Sequence, residues 1–268
     1  MKGRGVRRRA TAFVSILLAL GMCGALPLAT AAVELPGDPA LRALAQQKGL
    51  SMGSAVGAGT IATDARYDAT LRTEFNIVTP ENEMKWNAIH PEPTVYNFGP
   101  ADIIVTFAQQ NGMTVRGHNL AWYSQNPAWL TQMCNDPSVT RDQAIAILRD
   151  HIYTVVGHYK GKVAEWDVVN EALNDDGTLR AGCGEGQTPW AKMIGSDYLD
   201  LAFQFAREAD PAAKLFYNDY GGEGLGTKSD AIYNLVAGMK QRGVPVQGVG
   251  LQMHVDLNAP SPSDVAAT

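Results

Sequence analysis

The strongest constraint on this chain is a cadence. From about residue 51 to residue 252, short apolar runs rich in β-branched residues alternate with longer segments of helical periodicity. Ser51 to Val56, Phe75 to Thr79, Met113 to Gly117, Val163 to Val169, Lys214 to Tyr217 and Val246 to Gln252 read as strands. A short helix is expected at Pro39 to Lys48, and longer ones at Ala65 to Glu74, Ala101 to Gln110, Tyr198 to Glu208 and Ser229 to Gln241. Asn111-Gly112 is a good helix stop, and Thr140 is a good cap for a long helix ending near Gly161. Strands separated by helices require a mostly parallel sheet, because parallel neighbours can be joined only by crossovers.

Two architectures satisfy that demand. An open nucleotide-binding sheet needs a glycine-rich turn after its first strand. Gly57-Ala58-Gly59 is followed by Thr60-Ile61-Ala62, so the third glycine of that fingerprint is missing. A closed barrel instead places polar functional residues at the carboxyl ends of several different strands. They stand here after the second, third, fourth, fifth and sixth. The expectation is an α/β chain, a (β/α)8 TIM barrel, with about six of the eight βα units present. The 268 residues, 46% of them hydrophobic, suit one such domain.

The first 31 residues are read apart from the fold. Lys2, Arg4 and Arg7-Arg8-Arg9 precede an apolar run from Ala12 to Leu20, and Ala29-Thr30-Ala31 supplies small residues for cleavage. Residues 1–31 thus read as a secretory signal peptide, with 32–268 the partial barrel and a secreted, extracellular destination. The arginine triplet also resembles a twin-arginine signal. Leu20-Gly21-Met22-Cys23 resembles a lipoprotein box, with Met22 where a small residue is wanted. The apolar run is short for a membrane span, so no membrane association is expected after signal removal. Losing the five basic residues of that segment lowers Lys plus Arg from 22 to 17 against 27 Asp plus Glu, so the net charge moves from −5 to −10. So acidic a domain, without basic runs, argues against nucleic acid and leaves neutral polymers acceptable. Cys23 departs with the signal. Cys134 and Cys183 remain, either as one disulfide or as two buried thiols.

The second strand runs into Thr79-Pro80-Glu81-Asn82-Glu83-Met84-Lys85-Trp86. Glu81, Asn82 and Lys85 supply an acceptor, an amide and a point charge, a set that can hold several hydroxyls of one sugar. A solvated loop with a salt bridge would look the same. His118 at the end of the third strand and Trp122 beyond it are, singly, ordinary core residues. With Gln125 and Trp129 they make a surface of aromatic rings beside hydrogen-bonding groups. The fourth strand, Trp166 to Val169, ends in Asn170-Glu171, the fifth in Tyr217-Asn218-Asp219-Tyr220, and the sixth in Gln252-Met253-His254. The five histidines form neither an H-E-x-x-H pair nor a cysteine–histidine cluster, so no metal and no cofactor are expected. His151 and His158, on one helix, are read as core or solvated. No G-x-S-x-G elbow occurs.

Read together, TPENEMKW (79–86), RGHNLAW (116–122), WDVVNEAL (166–173), YNDY (217–220) and GVGLQMH (248–254) resemble glycoside hydrolase family 10, the endo-β-1,4-xylanases. The resemblance covers residues 40 to 268 in the family's order and spacing. It implies that Glu171 is the general acid/base and that Asn170 holds the 2-hydroxyl of the sugar at the cleavage point. Glu81, Asn82 and Lys85 would bind the next sugar towards the non-reducing end, and His118 and Trp122 would line the sugar at the cleavage point, with Gln125 nearby. Tyr220 would contact the acid/base region, and Gln252 and His254 would orient the nucleophile and the catalytic pair. The substrates would be xylan and xylo-oligosaccharides, bound by a monomer.

Retaining cleavage uses two carboxyl groups about 5–5.5 Å apart. The resemblance places the second, a nucleophilic glutamate, at the end of a seventh strand. After His254 the chain offers only Asp256 and Asp264, neither in that motif. The expectation is therefore a partial barrel, unstable or inactive by itself. Two other functions fit the residues: a related glycosidase acting on mannan or cellulose, and a non-catalytic carbohydrate-binding barrel. A phosphate-handling barrel would need a glycine-rich phosphate loop after the last strands.

Overall fold

The computed structural model describes residues 39–254 and 260–267. The expected signal peptide at 1–31 and Asp256 lie outside the described residues. In chain order the elements are α1 (Leu41–Gln47), β1 (Gly53–Val56), α2 (Ala58–Thr63), α3 (Ala65–Glu74), β2 (Ile77–Pro80) and α4 (Trp86–Ile89). Then follow α5 (Gly99–Gln110), β3 (Thr114–Ala121), α6 (Ala128–Asn135), α7 (Arg141–His158), β4 (Glu165–Asn170) and α8 (Pro189–Met193). The series ends with α9 (Tyr198–Ala209), β5 (Lys214–Asp219), α10 (Thr227–Gln241), β6 (Gly248–Leu251) and α11 (Pro262–Ala267).

The six strands form one parallel sheet in the order β1-β2-β3-β4-β5-β6. Sequential order with helical crossovers is the winding of a (β/α)8 barrel, of which these are six of the eight strands. All six expected strands are found, and so are the expected helices. Thr140 caps α7 through a reciprocal box: its hydroxyl accepts from the Gln143 backbone N–H, while the Gln143 side chain accepts from the Thr140 N–H. The glycine run after β1 builds no phosphate cradle; Gly57 is the cap of α2. The third strand extends four residues further than expected, through His118, Asn119, Leu120 and Ala121. Its pairing with β4 shifts register between His118 and Ala121, and β4 shifts against β5 between Asp167 and Val169. Such irregularities redirect side chains at strand ends.

Registry matches small residues to large ones. Gly117 pairs with Trp166, Gly248 with Phe216 and Gly250 with Asn218. A Cβ on Gly117 would stand 2.2 Å from the Trp166 ring, and one on Gly248 would stand 2.3 Å from Phe216. Side chains of one strand thus fill the space that glycine leaves on its neighbour, as the layered interior of a barrel requires. Outside the sheet, Trp86, Trp190, Tyr198 and Phe203 are fully buried among the helices. Val249 and Leu251 on β6 are exposed.

Trp86 ties the loop after β2 into this core. Its indole N–H donates to the Leu120 carbonyl at 2.6 Å, and the His151 ring stacks on it at 3.4 Å. His151 is fully buried, so of the two readings it is core. Its Nδ1 meets Nδ1 of the buried His90 at 3.2 Å. His158 instead bonds Asp102 at 2.9 Å and stacks on Phe98. Burial holds both His90 and His151 below the usual imidazole range, His151 far below it and further depressed by His90. The Asp150 charge, beside Tyr96, opposes this only in part for His90. Both rings are therefore neutral in the folded protein, and the unfolded chain binds protons first as pH falls. Their contribution to stability is complete above the ordinary histidine value near 6.5 and is lost progressively below it. We expect the urea midpoint to drop between pH 7.5 and pH 5 and a His151→Gln variant to flatten that slope. An unchanged slope would refute the assignment.

Candidate active site

Because the strands are parallel, their carboxyl ends share one rim. The residues that follow β2 to β6 therefore converge there. Glu171 stands at the centre, one residue past β4, and is 7% exposed. Its Oε2 accepts from the Trp122 indole N–H at 3.0 Å. Its Oε1 accepts from Gln252 Nε2 at 2.8 Å and from Asn170 Nδ2 at 3.1 Å. The backbone has φ 54, the left-handed region that a non-glycine residue adopts only when its surroundings enforce it. The enforcing bond is visible: the Glu171 N–H donates to the Asn218 carbonyl on β5 at 2.8 Å.

The residues singled out as catalytic or sugar-binding lie along this rim except Trp129. Its indole N–H donates to the His90 carbonyl at 3.3 Å, and its ring packs on Trp86 and His90 against the core. Asn170 is buried, and its Oδ1 accepts from Asn218 at 2.7 Å and from Gln252 at 3.2 Å. Its Nδ2 donates to Glu171, and its Oδ1 is held by Asn218 and Gln252. Gln252 bridges both and accepts from His254 Nε2 at 2.9 Å, so His254 acts on Glu171 through Gln252. Lys85 is buried, donates to Asn82 Oδ1 at 3.1 Å and lies 5.1 Å from the Trp122 ring centre. Burial pulls the Lys85 ammonium below its ordinary range, while Glu81, Glu171 and Glu83 draw it back. Glu81 and Asn82 are exposed at the rim. Gln125 also has a left-handed backbone, φ 51, and its carbonyl accepts from Asn87, joining the loops after β2 and β3. Tyr220 donates to Asp175 at 2.7 Å and accepts from Arg180 at 2.8 Å; burial first, then that carboxylate, push it up to about 12.

Several site residues carried no signal strong enough to name them. Asp167 sits inside the apolar run of β4, 2% exposed. Its Oδ1 takes both Nε and a terminal nitrogen of Arg116 at 3.0 and 2.6 Å, and its Oδ2 lies 2.9 Å from His118 Nδ1. A carboxylate in a buried strand demands such partners, and that alone was the available clue. Glu83 accepts from the Ala58 N–H at 2.7 Å and the Asn82 N–H at 3.1 Å, which fixes the loop after β2. Asp219, raised by burial and restrained by Tyr217 and Lys228, accepts from the Tyr217 hydroxyl at 2.5 Å.

Cys134 and Cys183 are joined, with Cα atoms 5.6 Å apart. The bridge pins the loop after β4 to α6 beside a cleft of about 500 Å³, lined by Tyr123, Gln125, Asn126, Glu185 and Gln187 among others. Among the described residues no cluster of His, Cys, Asp or Glu could hold a metal ion, and no helix is long and apolar enough to cross a membrane.

Six parallel strands of a barrel, with an enforced carboxylate and a cluster of polar and aromatic groups at their carboxyl rim, have the architecture of barrel glycosidases. The family model described as glycosyl hydrolase family 10 matches residues 40–268, and the chain belongs to that family. Endo-1,4-beta-xylanase B of Thermotoga neapolitana is 42% identical over 221 residues, covering 82% of this chain and 61% of that protein. Beta-1,4-xylanase of Dictyoglomus thermophilum is 49% identical over 198 residues, 73% of this chain and 53% of that protein. The crystal structure of xylanase 10B from Thermotoga petrophila in complex with xylobiose superposes with a TM-score of 0.79 at 42% identity, covering 86% of this chain and 68% of that one. The chain spans 53% to 62% of the length of these and a third curated xylanase, from Paenibacillus barcinonensis.

Proposed function

We propose that the protein carrying this chain is an exported endo-1,4-β-xylanase. It cleaves internal β-1,4-xylosidic bonds with retention, with Glu171 as general acid/base. The observation that carries the reading is the setting of Glu171. A glutamate held in the left-handed region at a barrel strand end, by donors from β3, β4 and β6, is a positioned proton-transfer group rather than a solvated side chain. Lys85 and Asn82 on one side and Tyr220 on the other give it a groove that a chain of sugars can cross. Xylanase relatives with 42% and 49% identity support xylan as the polymer. The retaining course rests on family likeness and requires a second carboxylate as nucleophile, about 5–5.5 Å from Glu171. Export rests on the basic and apolar pattern of residues 1–31, and a monomer is proposed with it.

One relative at 41% identity is named an exoglucanase, Exoglucanase XynX of Acetivibrio thermocellus, so a β-1,4-glucan is the reading to test against. Side-by-side hydrolysis of xylan and carboxymethylcellulose should favour xylan by at least about tenfold in kcat/KM, the scale of one or two well-placed contacts. Proton NMR of the first product should display the β-anomer. Preference for the glucan, or an α-anomer, would overturn the proposal.

A further inference from the structure

Arg180 is an arginine with no assigned part in the site. It lies in the loop after β4, nine residues past Glu171, and is 8% exposed. A buried guanidinium requires partners in several directions, and this one has four. Its Nε donates to the Leu173 carbonyl at 3.1 Å, and one terminal nitrogen donates to the Gly186 carbonyl at 2.8 Å. The other donates to the Tyr220 hydroxyl at 2.8 Å. Its flat face lies 4.4 Å from the centre of the Tyr123 ring. The contacts come from the loops after β3, β4 and β5. One planar group thus joins three rim segments that have no backbone ladder between them.

One of the two tyrosines it holds leads to the carboxylate through a ring contact. Tyr123 packs edge-on against Trp122 at 5.5 Å, and the Trp122 indole N–H is the donor to Glu171 Oε2 at 3.0 Å. The Glu171 charge also acts on both tyrosines. The Tyr220 hydroxyl has its proton committed to Asp175 and accepts from Arg180, so its orientation is fixed. Lys228 lies 3.1 Å from the Tyr220 ring centre and pairs with Asp219 at 3.1 Å, which fixes the ring as well. Tyr123 is held by the guanidinium face and by its neighbour Trp122, 5.5 Å away.

We propose that Arg180 is a positioning residue for proton transfer: by clamping Tyr123 and Tyr220 together it steadies Trp122, which packs on Tyr123, and the Trp122 indole bond fixes the Glu171 carboxyl toward the leaving-group oxygen. The inference rests on the reading of Glu171 as acid/base. Lysine cannot replace the guanidinium, because an ammonium is a point donor without a stacking face. The reaction itself is unchanged: the second carboxylate bonds the anomeric carbon as the C–O bond breaks, Glu171 gives its proton to the departing glycosidic oxygen, and the positive charge stays on Arg180 throughout.

The test compares Arg180→Lys and Arg180→Met with the parent protein on two substrates, xylan and an aryl xylobioside with a dinitrophenolate leaving group. Xylan needs protonation of its leaving group; dinitrophenolate departs without it. We expect kcat/KM on xylan to fall roughly 10- to 100-fold, part of what a general acid contributes, and kcat/KM on the aryl substrate to change by less than about twofold. An equal loss on both would make Arg180 merely structural and overturn the proposal. Carbon-13 NMR of labelled glutamate and tyrosine, assigned with Glu171→Gln, Tyr123→Phe and Tyr220→Phe, supplies a readout that needs no turnover. The Glu171 carboxyl and both tyrosine signals should move in Arg180→Lys, which keeps the charge and the stem when Arg180→Met does not fold. A Glu171 signal that stays in place would overturn the proposal. If the parent protein cleaves neither substrate, the glycosidase reading fails, and the NMR result alone decides whether Arg180 positions Glu171.

Discussion

Glu171→Gln should lower kcat/KM on xylan by roughly 10²- to 10⁴-fold, the contribution of a positioned general acid. On a dinitrophenyl xylobioside kcat/KM should hardly change, because that leaving group departs as a stable anion. Added azide should then speed turnover of the aryl substrate. A small anion can enter where the carboxylate's charge is missing and attack the glycosyl-enzyme directly. The geometry also predicts a stability cost. Glutamine can keep its oxygen toward Gln252 and Asn170, which places its NH₂ against the Trp122 indole N–H. Two donors facing each other in a buried site cost about 1–3 kcal/mol, so the thermal midpoint should fall by several degrees. Equal losses of kcat/KM on xylan and on the aryl substrate would remove Glu171 from the acid role.

Gly117→Ala is the second large effect, and it falls on folding rather than on chemistry. A Cβ at Gly117 would lie 2.2, 2.3 and 2.7 Å from three carbons of the Trp166 ring. That ring has nowhere to retreat, since Trp166 is fully buried with Tyr159 beside it at 6.3 Å. One methyl group must therefore push β3 from β4 where Arg116, His118 and Asp167 meet. Overpacking of a filled interior costs about 1–3 kcal/mol, and a contact this close should reach the upper end. A urea series on the purified variant would measure it. A midpoint unchanged from the parent would mean that the strands can slide, and that the small-opposite-large registry is not a constraint.

Much of the architecture was legible because periodicity is a local property. Each strand and the longer helices announce themselves within ten or fifteen residues, and so did the order of the sheet. The short helices were not legible: α2, α4, α6 and α8 are of four to eight residues. Such pieces are fixed by packing, as Trp86 is by His151 and Leu120, and packing partners lie far along the chain. The site divides in the same way. Glu171, Asn170, Lys85, Trp122 and Gln252 stand at strand ends, where polar residues attract notice. Arg180 and Asp167 do not, because a loop arginine and a strand aspartate gain meaning only from their partners.

The Cys134–Cys183 bridge has a consequence for how the rim can move. The two cysteines are 49 residues apart, and between them lie α7, all of β4, and both Glu171 and Arg180. The strand that ends in the acid is therefore the middle of a covalent ring. Closing a ring of that size restricts the unfolded chain by about 4 kcal/mol in the entropic account. This restraint acts on the stretch that carries Glu171 and its left-handed backbone. Partial opening of the sheet elsewhere would thus leave the two ends of this ring joined. The acid end of β4 would keep its place while the rest of the rim frays.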